Sequence, residues 1–473
     1  MNSTTIPPAN YAGSIREIMH ISWPIWVSMI SLTLKGVVDT IMIGHLGTDA
    51  LAGVGFAGVL VFNVLCFGMG VLRGQKSLVS QYLGAGERKT AFYFGVQAFW
   101  IGLLFSVLCV FAGLWQETWF LSIANKANLS ESSLDMGRRY FDTRLVWAGA
   151  FLLQIAVSEY LRGTGRTRLP MAADLISQPL NVLFNYALIF GKFGAPELGV
   201  EGAAIGTGLA DLASLILLLG FGRAKVSLED LKLQPKRWWR ALRVGTAGGI
   251  QFTIEVGAYT LLTFFIGFIS TQDLAAHNAA ISILHFSFMS AVALGDGGSV
   301  LIGRYVGSLD WELARKTLRN MLGLMIVVMV VMGALFVTFG REIMLLYIAD
   351  PDPEVMERTI RLGIRLLWVA AVFQIGDAIQ IAFRFSLRAA GDHTWVMWAG
   401  ILCSWLLTVP LAATAVFLMK GDAATVWWMW NFEIYLGGFF FYRRWRSGAW
   451  QAKRLVQDRG IVARPESPLE GSL

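Results

Sequence analysis

The sequence predicts an all-α integral membrane protein in which twelve helices cross the bilayer as two related bundles of six. Three observations carry that prediction. Of the 473 residues, 55% are hydrophobic and 15% charged, with a mean hydropathy of +0.57, more apolar and less charged than a soluble domain. Windows of about 19 residues, the helix length that spans a hydrocarbon layer about 30 Å thick, turn apolar twelve times, beginning near residues 18, 50, 91, 140, 169, 199, 244, 277, 319, 363, 395 and 423. Short segments at the ends of these windows recur 223 to 226 residues later, so the second half of the chain restates the first.

Taken in order, Met1 to Tyr11 is polar and lacks the apolar core of a cleaved signal peptide, which leaves the first crossing as the membrane address. The chain then divides into an N-terminal segment 1–17, a first bundle 18–222, a linker 223–243, a second bundle 244–446 and a tail 447–473. Of the 39 Lys and Arg, 27 fall in the N-terminal segment, the even-numbered connections and the tail. Eight fall in the odd-numbered connections and four, Lys35, Arg144, Arg365 and Arg384, within spans. The positive-inside rule therefore puts both termini on the cytoplasmic side of the plasma (inner) membrane. The net charge of +7 belongs to this inner collar and gives no ground for nucleic-acid binding. The linker holds seven Lys or Arg and the pair Trp238-Trp239, read as interfacial aromatics. Asn2-Ser3-Thr4 and Asn128-Leu129-Ser130 fit the glycosylation pattern, which is common by chance.

The repeat shows in paired landmarks. Leu51-Ala52 and Tyr82-Leu83-Gly84 around the second span return as Leu274-Ala275 and Tyr305-Val306-Gly307, and Leu161-Arg162-Gly163-Thr164-Gly165 returns as Leu387-Arg388-Ala389-Ala390-Gly391. An even number of crossings in each half makes the repeat parallel, about an axis along the membrane normal. Pro24, Pro170, Pro179, Gly248-Gly249, Gly297-Gly298 and Pro410 interrupt the spans, where they allow bending or serve packing.

Ionisable groups at membrane depth mark sites. Between Arg365 and Arg384, Asp377 is the one side chain that can carry a charge; Gln374, Gln380 and Arg384 share its helix face. From Val244 to Gln272, Glu255 is the one ionisable group, with Gln251 and Tyr259 at four-residue spacing on either side. Span 1 sets Ser28, Ser31, Lys35 and Asp39 along one stripe, where the lysine can pair with the acid four residues on, as structural glue or as part of a site. Asn181 in span 5 joins the supporting polar residues. His277 and His285 are read as packing residues, Asp296 sits in the unusual run Gly295-Asp296-Gly297-Gly298, and Asp211, Glu159, Arg144 and Glu433 are weaker candidates. Cys66, Cys109 and Cys403 lie in apolar runs and suggest neither disulfides nor a metal cluster. No nucleotide-binding loop, nucleophile elbow or metalloprotease motif is present, so the chain is read as no enzyme.

These residues resemble the multidrug and toxic compound extrusion (MATE) transporters, in particular the NorM-like branch, from about Ile18 to Arg446. The likeness rests on Asp39-Thr40-Ile41-Met42-Ile43-Gly44-His45-Leu46-Gly47, Leu161-Arg162-Gly163-Thr164-Gly165, Gly199-Val200-Glu201-Gly202-Ala203-Ala204, Leu274-Ala275-Ala276-His277 and Asp377-Ala378-Ile379-Gln380. It implies two six-helix bundles around a V-shaped central cavity, and antiport of organic cations against Na+ or H+ with acids at Asp39, Glu255 and Asp377. Lys35, Asp296 and the Arg388-Ala389 step depart from the family pattern. The favoured expectation is an antiporter exporting amphipathic organic cations, with the coupling ion, Na+ included, held at Glu255 and Asp377. Neither a cofactor nor a partner beyond small organic cations and membrane lipids is expected, and the chain is read as a monomer. The alternative is a flippase for a lipid-linked or other amphipathic anion, which would want several inward Arg or Lys where the spans offer four.

Overall fold

Residues 12–115, 120, 130–221, 228–348 and 351–456 are described by a computed structural model; Asn2, Asn128, the start of the linker and the end of the tail lie outside them. Among the described residues twelve long helices follow the twelve apolar windows: α1 Ile15–Gly44, α2 Thr48–Gly84, α3 Arg88–Leu114, α4 Glu131–Gly163, α5 Arg168–Phe190, α6 Gly199–Phe221, α7 Pro235–Gly267, α8 Thr271–Gly307, α9 Trp311–Thr338, α10 Pro353–Ala390, α11 His393–Leu418 and α12 Ala423–Arg446. Local chemistry sets their starts. Ser14, Ser130 and Ser270 cap α1, α4 and α8, while Asp352 and Asp422 cap α10 and α12, each side chain accepting a first-turn N–H. α7 begins at Pro235, inside the stretch read as linker, with proline in the first turn where no N–H is required. Trp238 and Leu242 from that first part of α7 pack against the core of the first bundle.

Pro410 shows what an interrupted span does here. α11 widens into π-helical turns at Cys403–Thr408 and Thr414–Leu418 on either side of it, because the ring removes a donor and displaces the carbonyl one turn back. Gly248-Gly249 serves close packing instead. A Cβ on Gly249 would sit 2.7 Å from the Phe67 carbonyl oxygen, and one on Gly70 2.7 Å from that of Gly248, so these glycines let α7 and α2 touch backbone to backbone.

The packing repeats as the sequence does. α1 lies against α5, α2 against α4 and α4 against α6; α7 lies against α11, α8 against α10 and α10 against α12. The bundles meet through α1 on α8 and α7 on α2, one contact and its counterpart, and through α2 on α8 at the pseudo-twofold axis. Outward faces are apolar: α3 exposes Leu104, Val107, Leu108 and Phe111, and α9 exposes Val327, Val330, Val331 and Leu335. Such stripes at helical spacing belong against lipid.

The V closes at the end where α1 begins. There a Cβ on Gly84 would fall 1.9 Å from the Arg304 carbonyl oxygen, and one on Gly307 2.0 Å from that of Gln81, so α2 and α8 meet without side chains between them. The last described residues run beneath this seam. Leu455 donates its N–H to Gln81 Oε1 at 2.7 Å, Arg454 donates to the Gly307 carbonyl at 2.8 Å, and Arg240 donates to the Leu455 carbonyl. Trp450, fully buried, stacks on Trp445 with ring centroids 4.1 Å apart and meets Trp311 edge-on.

Candidate functional site

In the first bundle, α1, α5 and α6 bring together Asp39, Asn181, Asn185 and Thr207. Asn185 donates from Nδ2 to Asp39 Oδ1 at 2.7 Å, Thr207 donates to Oδ2 at 3.5 Å, and Asn181 donates to the Thr207 hydroxyl at 3.3 Å. Asn181 and Asn185 are completely buried, yet their amide oxygens have no hydrogen-bond partner among the described residues. The side of α5 that presents both amides, four residues apart, is the side packed on α1 and α6.

Lys35 does not pair with Asp39. Its amine lies 2.9 Å from Asp211 Oδ1 on α6, and Arg144 of α4 reaches the other oxygen of Asp211 at 3.1 Å. The expectation from four-residue spacing fails because α6 packs beside that face of α1 and supplies an acid closer to the amine. Asp211, a weak candidate in the sequence, is thus the carboxylate that Lys35 and Arg144 both contact, and among the described residues Asp39 accepts hydrogen bonds from neutral donors alone.

In the second bundle one of the two acids read as ion-binding, Glu255, is already occupied by a cation. Arg384 of α10 grips Glu255 of α7 bidentately, at 2.5 Å from Nη2 to Oε1 and 3.2 Å from Nη1 to Oε2. Gln251 donates to the same carboxylate at 2.9 Å and accepts from Arg388 at 2.6 Å. Gly400 of α11 closes on this group: a Cβ there would come 2.2 Å from Gln251 Nε2 and 2.5 Å from Glu255 Oε1. Asp377 is different. Glu433 and Arg384 are the charged groups near enough to act on it, Arg384 is committed to Glu255, and no described side chain pairs with Asp377. Glu433, buried on α12, faces Gln380 across Gly437, where a Cβ would meet both side chains.

The remaining polar residues sort by partner. Gln374, on the Asp377 face, is buried and bonded to Ser287 of α8 at 2.9 Å, tying two helices together. Tyr259 turns its ring edge onto Trp430 at 5.4 Å between centroids. His277 accepts from the Trp427 indole at 3.0 Å and contacts the Thr263 hydroxyl at 3.2 Å, a packing histidine as read from sequence. Asp296 pairs across the two bundles with Lys76 of α2. Arg73 and Lys76 of α2, Arg162 of α4, Arg304 of α8 and Arg388 of α10 lie on the long helices too, so the number of basic residues within spans exceeds the four read from sequence. Windows of 19 residues cannot register helices of 37 and 38 residues such as α2 and α10.

Twelve helices in two equivalent bundles, closed at one end and lined by deep charged groups, define a multi-pass membrane transporter rather than an enzyme. The MatE family model matches residues 24–187 and again 249–414, one copy in each bundle, and the chain belongs to this family, the MATE transporters. Among named relatives, the probable multidrug resistance protein NorM of Pseudomonas putida is 27% identical over 432 residues, covering 88% of this chain and 90% of that one. The uncharacterized transporter YisQ of Bacillus subtilis is 24% identical over 453 residues, covering 93% and 96%. Among solved structures, an outward-facing multidrug resistance MATE family transporter of the MOP superfamily superposes with a TM-score of 0.83 at 17% identity, covering 92% of this chain and 96% of that one. A MOP superfamily transporter from Pyrococcus furiosus, whose binding pocket is described as reversed in polarity, gives the same score, identity and coverage.

Proposed function

We propose that this chain is a secondary antiporter that exports amphipathic organic cations from the cytoplasm in exchange for Na+ or H+ by alternating access. One observation carries the reading: each bundle pairs one deep acid with built-in cations and leaves another without a basic partner. Asp211 is held by Lys35 and Arg144 and Glu255 by Arg384, while among the described residues Asp39 and Asp377 have no ion pair. An acid in a low-dielectric wall without a resident cation is poised to take one, as a proton or a metal ion. Beside Asp39, the Thr207 hydroxyl and the unpartnered Asn181 and Asn185 oxygens form an all-oxygen donor set of the type hard cations bind. Because two cations cannot share one carboxylate cheaply, ion binding and drug release are linked through an unfavourable, positive coupling free energy between the two ligands.

The test is uptake of a fluorescent organic cation by proteoliposomes under separately imposed Na+ and H+ gradients. Antiport requires that one gradient drive uptake and that Asp39→Asn or Asp377→Asn uncouple it. Equal uptake with no gradient, or unchanged coupling in both variants, sinks the proposal.

A further inference from the structure

From Gly68 to Tyr82 every residue of α2 is buried except Arg73. α4, α7 and α8 cover this run, so an accessible side chain in its middle opens into space enclosed by the two bundles. Helix side chains lean toward the N-terminus of their helix, which for α2 is the open end of the V. The Arg73 guanidinium lies 5.6 Å from the Phe252 ring centroid on α7. Next to Phe252, Gln251 holds Arg388 of α10 at 2.6 Å. One guanidinium from each bundle therefore arrives at the same turn of α7, within electrostatic reach of the other.

Among the described residues neither forms an ion pair with a carboxylate. Three carboxylates lie nearby, and each is already paired: Glu159 with Arg162 at 3.1 Å, Asp296 with Lys76, and Glu255 with Arg384 at 2.5 Å. Arg73 and Arg388 are left over. Two like charges facing one cleft repel unless an anion bridges them. A guanidinium carries five donors in a planar fork that matches a carboxylate or phosphate, and Arg388 spends one of them on Gln251. Eleven residues up α10, about 16 Å of helix rise, stands the unpaired acid Asp377.

We infer that Arg73 and Arg388 form an oxyanion subsite on the floor of the cleft, so that the molecules carried bear a carboxylate or phosphate as well as a positive charge. This rests on the antiport reading above for the identity of the cleft as the transport path, and it narrows the substrates from cations to amphipathic zwitterions. The acid end meets the two arginines and the basic end faces Asp377.

Rhodamine B, which carries a carboxylate beside its cationic ring system, and its ethyl ester, which lacks the carboxylate, separate the two charges. With purified full-length protein in detergent, fluorescence anisotropy should show rhodamine B binding about tenfold tighter than the ester, as hydrogen bonds between charged groups provide. Arg73→Gln should abolish that preference while leaving ester affinity within about twofold, and Arg73→Lys, which keeps the charge but not the fork, should fall between. Arg388→Gln should act as Arg73→Gln does. Should its lost bond to Gln251 unfold the protein, the wild-type comparison and the Arg73 variants still decide. Equal affinities for the two dyes in wild type, or Arg73→Gln weakening both dyes alike, overturns the inference. Phosphatidylglycerol added to the micelles distinguishes the source of the oxyanion: displacement of rhodamine B assigns the subsite to a lipid headgroup, and no displacement assigns it to a soluble solute. Gradient-driven uptake of rhodamine B, which carries both charges, is scored separately. Its absence alongside an intact preference refutes antiport alone, and its presence without a preference refutes the oxyanion subsite alone.

Discussion

The two bundles solve one problem with different parts. Each pairs one of its deep acids with resident base and leaves another without a basic partner among the described residues. The first bundle does so with two cations from two helices, Lys35 and Arg144 on Asp211, and surrounds the other acid, Asp39, with amides and a hydroxyl. The second uses one guanidinium, Arg384 on Glu255, and sets its free acid, Asp377, near another carboxylate, Glu433. The difference teaches that membrane depth alone does not say which acid is available. Availability depends on which partner helix delivers a base, and the two bundles deliver it to different positions of the repeat.

The largest effect that would break this comparison is on stability. Arg384→Met strands Glu255 in low dielectric and should lower the free energy of unfolding by about 3–5 kcal/mol, whereas Arg384→Met with Glu255→Gln should recover most of it. Thermal unfolding in detergent measures both, and equal loss in the single and double variants would show that Glu255 was never charged and paired. Lys35→Met should cost less, about 1–3 kcal/mol, because Arg144 stays on Asp211; a loss as large as that of Arg384→Met would erase the asymmetry between two cations and one.

On transport, Asp39→Asn and Asp377→Asn should each reduce gradient-driven export by about tenfold or more with normal protein level, since the amide keeps shape and most hydrogen bonding but not the charge. Asp211→Asn tests the other side of the pairing. It frees Lys35 and Arg144 near Asp39, so it should impair export through that acid, and Lys35→Met added to it should restore part of the activity. Export unaffected by Asp211→Asn would show that the neighbouring cations do not bear on Asp39. The smallest effect is expected at Thr207→Val, whose hydroxyl sits at 3.5 Å from Asp39: about two- to threefold in the ion concentration for half-maximal transport, as one weak hydrogen bond supplies.

The spans, the repeat and the presence of acids at membrane depth are legible in the sequence because each depends on local pattern: an apolar run, a fixed offset, a charge where none belongs. Partners were not legible. Lys35 is four residues from Asp39 but pairs with Asp211, 176 positions away, and nothing in a single helix tells which neighbour will lie against it. Asn185 and Thr207 were missed for the same reason, since an asparagine and a threonine in membrane helices are unremarkable until they converge on one carboxylate. Arg73 and Lys76 were assigned to a connection because hydropathy windows end where charge begins. A helix that continues into a protein-lined cleft keeps its hydrogen bonds and its charged side chains at no cost to the pattern of its backbone.

The residues beneath the closed end of the V bond to α2, α7 and α8. They follow α12 in the chain, so during synthesis they emerge after every helix they fasten. The seam between the bundles can therefore be laid down only when both bundles exist, and its final stitches come from neither. A chain stopped after Arg446 would carry all twelve helices and none of these bonds.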